Sequence, residues 1–324
     1  MALSMKNAMC RVHAPDGDDI FELVELDGEE SICGLYELDL RLKSEDADVK
    51  LDSLVGKPLA IEADLGTGER FFHGLVASFG QASAVGDLVE YRAKLVPWLW
   101  VLTRSRDCRI FQDKSVLDIV KEVFDGNKMT DFRVDADSSK YSPLEFVVQY
   151  GESDFDFVSR MLEEYGIGYY FEHAKDAHTL VLFDTSDQNK TCPIHDEASY
   201  VGEEGQEQTP GLITLWDSRI DLRTGAFALQ DYNFENPGVD LMTTKPTTSP
   251  VGGNDSVEVY AYPGQYTTSG EGDERARRLI EAEEAAAQVV VGAGSCHDFS
   301  PGHLFTLRGH DRGDFNDKLS LIHI

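Results

Sequence analysis

The clearest hydrophobic pattern in the chain lies between residues 149 and 173, QYGESDFDFVSRMLEEYGIGYYFEH. Apolar residues recur there at helical spacing and predict a helix with one buried face, formed by Phe157, Val158, Met161, Leu162 and Tyr165. Ser153 stands at its N-cap position, and Gly166 stands where a left-handed residue ends a helix. An aromatic strand over 169–172 and a hairpin partner over 179–183 follow. The segment therefore predicts a helix joined directly to a hairpin.

The first third of the chain has the two-residue alternation that is typical of strands. In GLYELDLRLK, residues 34–43, polar residues alternate with an apolar set made of Tyr36, Leu38, Leu40 and Leu42. Four more strands, separated by glycine-containing turns, are predicted over 21–26, 59–65, 70–79 and 88–96. Five short strands at this spacing predict a small barrel or sandwich, and barrel closure would remove the exposed strand edges.

Helices enter the pattern beyond residue 105. Ser115 and Asp118 resemble the start of a capping box, and the amphipathic helix after them is expected to end near Gly126. A strand over 145–149 leads into the helix–hairpin segment. This middle part of the chain is therefore predicted to be α+β.

Strands return from residue 191 onwards. We expect the polar stretch 202–211 to be a loop, and 213–222 to form a hairpin with 226–234 around Thr224 and Gly225. The stretch TTKPTTSPVGGNDS is expected to be a flexible loop. The remaining predicted elements are a strand over 257–262, an exposed helix over 271–288 and a strand over 303–308.

The chain is strongly acidic, with 59 Asp and Glu against 29 Lys and Arg and a net charge of −30. This charge argues against nucleic acid, which needs a basic face, and against adsorption to an anionic membrane. No apolar run is long enough for a membrane span. The five cysteines are scattered without a CxxC pair, and MALSMKNAMC has no apolar core. We therefore expect a reduced, cytoplasmic chain without a signal peptide.

The common catalytic signatures do not occur in the sequence, since it contains no GxSxG elbow, no P-loop and no HExxH motif. Cys192 and His195 have the CxxH spacing that begins a zinc site, and His173 and His178 flank a nearby turn. No second ligand pair accompanies them. We interpret these histidines as solvated loop residues rather than ligands.

Three other groups of residues could carry chemistry. The carboxylates that could act as acid–base pairs are Glu152, Asp154, Asp156, Glu163 and Glu164. The triplet Cys296, His297 and Asp298 resembles a nucleophile cluster, but neighbouring strand residues point to opposite faces. The aromatics that could bind a sugar or a base are Tyr165, Tyr169, Tyr170 and Phe171. We interpret the carboxylates as a capped first turn with a wet face, and the aromatics as core. No catalytic, cofactor-binding or metal-binding residue and no cofactor is therefore predicted.

Motifs along nearly the whole chain resemble, in the same order, those of the VgrG spike proteins of type VI secretion, which are relatives of contractile-phage tail hubs. The helix–hairpin segment resembles their ESD…F…R…LEE.GI.YYFEH signature. The other matching motifs are LDGEE (26–30), GLYELDL (34–40), LVG (54–56), FHG (72–74), the Y…L.P.L..L run over 91–102, RIFQ (109–112), YAYPG (260–264), PGHLF (301–305) and GH (309–310). Each motif is short, and it is their shared order that makes the resemblance specific.

The resemblance implies a fold that is mainly β with α+β inserts and contains two β-barrel modules of the phage tail-hub type. The expected modules are a first β-barrel over 1–105, an α+β module over 106–190 that 257–290 could complete, and a second β-barrel over 191–324. The end of the chain, 316–324, departs from the final strand of the family. We therefore expect the second barrel to be truncated, with the family's neck, needle and any toxin domain lying outside this chain.

The function that the resemblance implies is structural, and we expect no enzyme activity. VgrG hubs form homotrimers that dock on the Hcp tube, meet baseplate components, and carry a PAAR tip and effectors through their C-terminal parts. Such a protein would be cytoplasmic before firing and exported by the type VI apparatus.

Three alternatives stay open. They are a hub or baseplate protein of a contractile phage, a hydrolase that uses the carboxylates or the Cys192/His195 region, and a carbohydrate-binding β module that uses the tyrosines. Symmetric self-association distinguishes a ring-forming hub from the last two.

Overall fold

The computed structural model describes residues 10–15, 17, 20–66, 68–85, 88–186, 189–202 and 210–324. The predicted loop over 202–211 lies mostly outside these residues. The strands of the described chain are β1 Cys10–His13, β2 Glu22–Glu29, β3 Glu37–Ser44, β4 Pro58–Asp64, β5 Glu69–Val85, β6 Leu88–Val96, β7 Arg106–Lys114, β8 Phe132–Val134, β9 Leu144–Ser153, β10 Gly168–His173, β11 His178–Phe183, β12 Glu197–Tyr200, β13 Leu212–Ile220, β14 Ala226–Leu229, β15 Thr243–Pro246, β16 Glu258–Ala261, β17 Gln288–Gly294, β18 Leu304–Arg308 and β19 Lys318–Ser320.

The helices are α1 Leu51–Leu54, α2 Val116–Gly126, α3 Asp154–Glu164 and α4 Ser269–Ala287. Short 3-10 helices cover Trp98–Arg104, Ser138–Lys140, Asn254–Ser256 and Gly313–Phe315. The prediction of a mainly β fold with α+β parts is therefore confirmed.

The chain divides into two compact units, residues 1–199 with 296–324 and residues 200–295. The first unit contains an antiparallel six-stranded sheet in the order β1-β4-β5-β6-β3-β2. Its outer strands β1 and β2 contact each other, and a bulge between Val76 and Ser78 of β5 bends the sheet. The sheet is therefore curled towards closure, as the five-strand pattern predicts.

The α+β part of the first unit shares one core with the curled sheet. Leu38, Leu40 and Leu42 of β3 are buried at alternate positions, as predicted. The buried faces of α2 and α3 and the 3-10 helix at Trp98–Arg104 join the same hydrophobic cluster. The β10–β11 hairpin extends to β8, β7 pairs with β9, and β18 lies between β12 and β19.

The second unit is smaller. β13 and β17 form an antiparallel ribbon, and β14 lies between an antiparallel β15 and a parallel β16. Helix α4 packs on β14 and β15 around a small core of Leu229, Leu241, Tyr266 and Ala276. A capping box closes its start, because Glu271 N donates to Thr268 Oγ1 while Thr268 N donates to Glu271 Oε2.

Two predictions for the second unit are wrong. The expected hairpin of 213–222 with 226–234 does not form, because β13 pairs with β17 and β14 with β15 and β16. Gly225 is not a hairpin turn residue: a Cβ built on it would lie 1.9 Å from Asn254 O, so a passing chain segment needs the space. The stretch 243–256 is not simply a flexible loop, since it contains β15 and the buried Asn254. Two bonds hold Asn254, whose Nδ2 donates to Arg223 O and whose Oδ1 accepts from Val251 N.

The three-module division of the chain into 1–105, 106–190 and 191–324 stays a prediction. Compact units and barrel modules are different divisions of a chain, and a barrel can share its core with an insert, as the first barrel strands do here.

Candidate functional site

Helix α3 is closed at both ends by its own sequence, as predicted. The hydroxyl of Ser153 accepts a hydrogen bond from Asp156 N at 3.0 Å and caps the first turn. At the other end Gly166 adopts a φ of 67°. Gly166 N donates to Glu163 O and Ile167 N donates to Leu162 O, which is the Schellman arrangement. The helix therefore begins and ends at fixed residues.

The apolar face of α3 and the hairpin after it are core. Met161 and Leu162 are buried, whereas Glu163 is exposed. Tyr169, Tyr170 and Phe171 of β10 are buried too, and Tyr165 is half-buried. Buried rings offer no open face to a sugar or a base, so these aromatics pack the interior as expected.

Asp154 is the centre of a buried polar cluster. Its Oδ1 accepts from Gln149 Nε2 at 2.8 Å and from Arg109 Nη2, and its Oδ2 accepts from Asn127 Nδ2 at 2.9 Å and Ser105 Oγ at 3.0 Å. Arg109 Nε also donates to Gln149 Oε1 at 2.8 Å. Burial alone would raise the pKa of Asp154, but the hydrogen bonds from Gln149 and Asn127 and the charge of Arg109 lower it.

This cluster has the properties of a structural joint rather than a catalytic site. Both oxygens of Asp154 already accept two hydrogen bonds, so the carboxylate has no position left from which to take a proton from a substrate. The cluster ties β7, β9, α2 and the start of α3 together.

The other carboxylates of the segment are not brought together. Glu152 pairs with Arg160 at 2.7 Å, while Asp156 and Glu163 are exposed and Glu164 is half-exposed. Only Asp154 of the five candidates is buried. The arrangement therefore provides no pair of carboxylates that face a common cleft.

Three histidines come together in the first unit, an arrangement that the sequence does not predict. His73 Nδ1 lies 2.8 Å from His178 Nδ1, and Trp98 N donates to His178 Nε2 at 2.7 Å. The proton of His178 is therefore on Nδ1, and it is donated to His73. His173 Nδ1 lies 3.0 Å from His73 N and 3.1 Å from His73 O, and its Nε2 lies 3.2 Å from Glu30 Oε1.

Burial lowers the pKa of His73 to about 4 and that of His178 to about 2. Both imidazoles are therefore neutral near pH 7. The expectation that His173 and His178 are solvated loop residues is wrong, because the hairpin turns their side chains into the interior. His178 Nε2 accepts from Trp98 N, and His173 Nδ1 lies against the backbone of His73, so both are core histidines. His173 Nε2 is buried and makes no hydrogen bond within the part of the chain that the structure describes.

The candidate cysteines and their neighbours form a second local cluster. Asp298 is buried, and its Oδ2 accepts from Ile194 N at 2.9 Å and His195 N at 2.8 Å, while its Oδ1 contacts His195 Nδ1. Burial raises the pKa of Cys192 to about 11 and that of Cys296 to about 12. Both thiols are thus protonated at neutral pH, a state that disfavours nucleophilic attack and metal binding.

The described residues contain no group of three or more His, Cys, Asp or Glu side chains arranged to hold a metal ion. Among the same residues, no helix is long and apolar enough to cross a membrane. What the buried polar groups do is fix strands and helices to one another.

The fold is one that solved structures of phage-tail and secretion proteins share. An Escherichia coli protein, c3393, described as a component of the type VI secretion system similar to T4 bacteriophage tail proteins gp27 and gp5, aligns with a TM-score of 0.71 at 19% identity, over 96% of this chain and 71% of that one. The 43 kDa tail protein of prophage MuSo2 from Shewanella oneidensis aligns with a TM-score of 0.66 at 11% identity, over 98% and 93%. The architecture is thus that of a phage tail-hub protein, as predicted.

The model of the phage tail baseplate hub (GPD) family matches residues 29–324, and the chain belongs to this family. Two type VI secretion system spike proteins of Pseudomonas aeruginosa are similar to it. VgrG1b is 37% identical over 323 residues, or 99% of this chain, and VgrG1a is 36% identical over 315 residues, or 97%. The chain spans 43% and 49% of their lengths. The resemblance to VgrG hubs is therefore confirmed, and the matches are to structural spike and hub proteins rather than to enzymes.

Proposed function

We propose that this chain is the structural hub of a type VI secretion spike, a trimeric base that docks on the Hcp tube. The observation that carries the proposal is the match to VgrG1b over 99% of the chain, together with the baseplate hub family model over residues 29–324. In this proposal the modules over 1–105 and 191–324 build the ring. Baseplate components contact the hub, and the tip and effectors are carried by the part of the relatives that lies outside the match.

The chemistry of the described residues supports a structural role. The buried carboxylate of Asp154 is saturated by four donors, the buried histidines hold backbone groups, and the thiols of Cys192 and Cys296 are protonated. These groups stabilise a rigid body. In the proposal the chain is made in the cytoplasm and leaves the cell with the type VI apparatus.

The test is assembly with a tube protein. Sedimentation at increasing concentration should show a trimer of 108 kDa, three times the 36.0 kDa of the chain. The trimer should then bind rings of purified Hcp. A chain that stays monomeric at high concentration and high salt contradicts the proposed trimeric ring. A trimer that does not bind Hcp contradicts the proposed docking on the tube.

A second candidate is the hub of a contractile phage or phage-like particle. The family model is that of a phage baseplate hub, and the MuSo2 prophage tail protein aligns over 98% of this chain. The two candidates differ in the tube protein that they bind, which is Hcp for the secretion spike and a tail-tube protein for the phage particle. Binding to a phage tail-tube protein in preference to Hcp, measured in the same assay, would favour the phage particle.

A further inference from the structure

The β13–β17 ribbon of the second unit has an open edge. The two strands pair from Ile213 opposite Gly294 to Ile220 opposite Gln288. β17 has β13 on one side, and no strand of the described chain lies on its other side. Val291 is 61% exposed and Val289 38% exposed. The ribbon therefore presents apolar side chains and a free strand edge to its surroundings.

The sequence of this edge, QVVVGAG, contains no charged residue and no proline. Nine other strands of the described chain also have a neighbour on one side only, and each of these carries at least one Asp, Glu, Lys or Arg; they are β1, β2, β7, β8, β9, β10, β15, β16 and β19. β2, for example, carries four acidic residues. Among the edge strands that the structure describes, β17 is therefore the one without a charged residue.

Soluble proteins normally protect a free edge with charged residues, proline or a cover, because its unpaired N–H and C=O groups can pair with another strand. In a chain in which 27% of the residues are charged, a seven-residue edge without a charge is suited to being covered.

We propose that the free edge of β17 pairs with a strand edge of a second copy of this chain. The inference rests on the proposed function, because a ring hub needs a contact between neighbouring copies that joins two different surfaces. The charge of the chain favours this occupant. Two copies at −30 repel each other, and like charges on facing strand residues add to the cost, so an uncharged edge is where two copies can pair at the lowest cost.

The experiment adds a charged residue to the edge strand β17 and measures the self-association of the 324-residue chain. Val291→Lys places a charge on the free edge while it changes the net charge from −30 to −29, so a loss of assembly cannot come from added repulsion between copies. Phe146→Lys is the matched control, because Phe146 is an apolar residue of β9 that is 56% exposed and receives the same charge. Sedimentation velocity over a concentration series gives the association constant of each.

We expect Val291→Lys to weaken association by at least about tenfold, as a charge at a strand edge opposes pairing, and Phe146→Lys to match the wild type. Equal association of wild type and Val291→Lys overturns the edge contact and leaves the ring hub standing. An equal loss in both variants also overturns it, since the effect would then not be specific to the edge. A wild-type chain that never associates overturns both this contact and the ring.

Amide hydrogen exchange supplies a readout that does not depend on a variant. Val289, Val290 and Val291 are consecutive residues of β17, so their amides include some that point to the free edge. In the wild type, hydrogen exchange at these three residues should be slower in concentrated than in dilute solution. Exchange that stays unchanged while the chain assembles overturns the contact. A thermal melt of each variant verifies that both are folded before assembly is compared.

Discussion

His73 and His178 face each other across a 2.8 Å contact between their Nδ1 atoms, and both side chains are buried. Only one of these two nitrogens carries a proton, because Trp98 N occupies the other nitrogen of His178. Protonation of His73 would place two N–H donors against each other. The contact is therefore compatible with neutral imidazoles alone, which gives the fold a pH dependence with a definite sign.

The free energy of unfolding should fall as the pH decreases from about 6.5, the ordinary pKa of histidine. The pKa values of His73 and His178 are lowered in the folded protein, to about 4 and about 2, so the unfolded chain binds more protons below pH 6.5. The stability that these two groups contribute is fully present above pH 6.5 and is lost as the pH falls, down to about 4 for His73 and about 2 for His178. The loss is on the order of 1 kcal/mol per pH unit for each histidine.

Urea unfolding at pH 7.5 and pH 5.0 measures this loss. His73→Gln removes one titrating group and should flatten the pH profile, whereas His323→Gln, at an exposed ring, should leave the slope unchanged. Equal slopes for wild type and His73→Gln would show that the contact does not govern the pH dependence.

Asp154→Asn should reduce the free energy of unfolding by about 3 kcal/mol, because removing one partner of a buried ion pair leaves the other uncompensated. Arg109 loses its anionic partner, and the new amide nitrogen would face either Arg109 and Gln149 at the Oδ1 position or Asn127 and Ser105 at the Oδ2 position. Denaturant melts give the value. The exposed Asp156→Asn, also in the first turn of α3, is the control and should change it by no more than about 0.5 kcal/mol. Similar costs for both substitutions would mean that the cluster contributes little.

Leu162→Ala should cost about 2–5 kcal/mol, since it removes a buried side chain and leaves a cavity in the shared core of the first unit. Glu163→Ala, one position along the same helix and exposed, should stay within about 0.5 kcal/mol. Thermal melts of the two variants, with oligomer size measured alongside, check the assignment of faces. A damaging Glu163→Ala with a silent Leu162→Ala would reverse it and make the acidic face a functional surface.

The elements that the sequence predicts well are those with a complete local signal. β3 has strict alternation, and α3 has its cap, apolar face and terminal glycine within 14 residues of sequence, from Ser153 to Gly166. Residues close in sequence determine both elements. Packing then only has to agree with them, so the alternating burial of β3 and the Schellman end of α3 follow the pattern.

What the sequence could not supply is pairing over long separations. β13 was expected to pair with the next strand, yet Ile220 pairs with Gln288, 68 positions along the chain. Asp154 was interpreted as part of a capped first turn, but it is buried and its partners Arg109 and Asn127 come from 45 and 27 positions away. Neither periodicity nor spacing encodes such partners. The one available signal was that Arg109 and Asp154 both lie in motifs shared with the VgrG family.

The thiols should react in two classes. Cys108 is exposed, whereas Cys192 is buried and burial raises the pKa of Cys192 and of Cys296 well above 9. Iodoacetamide at pH 8 should therefore alkylate Cys108 first, and should reach Cys192 and Cys296 only after denaturant is added. Mass spectrometry of the digested protein reports each site. Rapid labelling of Cys296 in the folded chain would contradict its protonated state and reopen the hydrolase alternative.

Self-association should strengthen as salt is added. Each chain carries −30, so three copies carry −90, and their mutual repulsion opposes the ring. The Debye length falls from about 30 Å at 0.01 M ionic strength to about 3 Å at 1 M, which screens charges on neighbouring copies. Light scattering from 0.02 to 0.5 M NaCl should therefore show growing trimer at constant protein concentration. Sodium sulfate at matched ionic strength separates screening from salting-out, because sulfate also strengthens apolar burial. If association rises in sulfate but not in NaCl, apolar contacts rather than relief of charge repulsion govern the assembly.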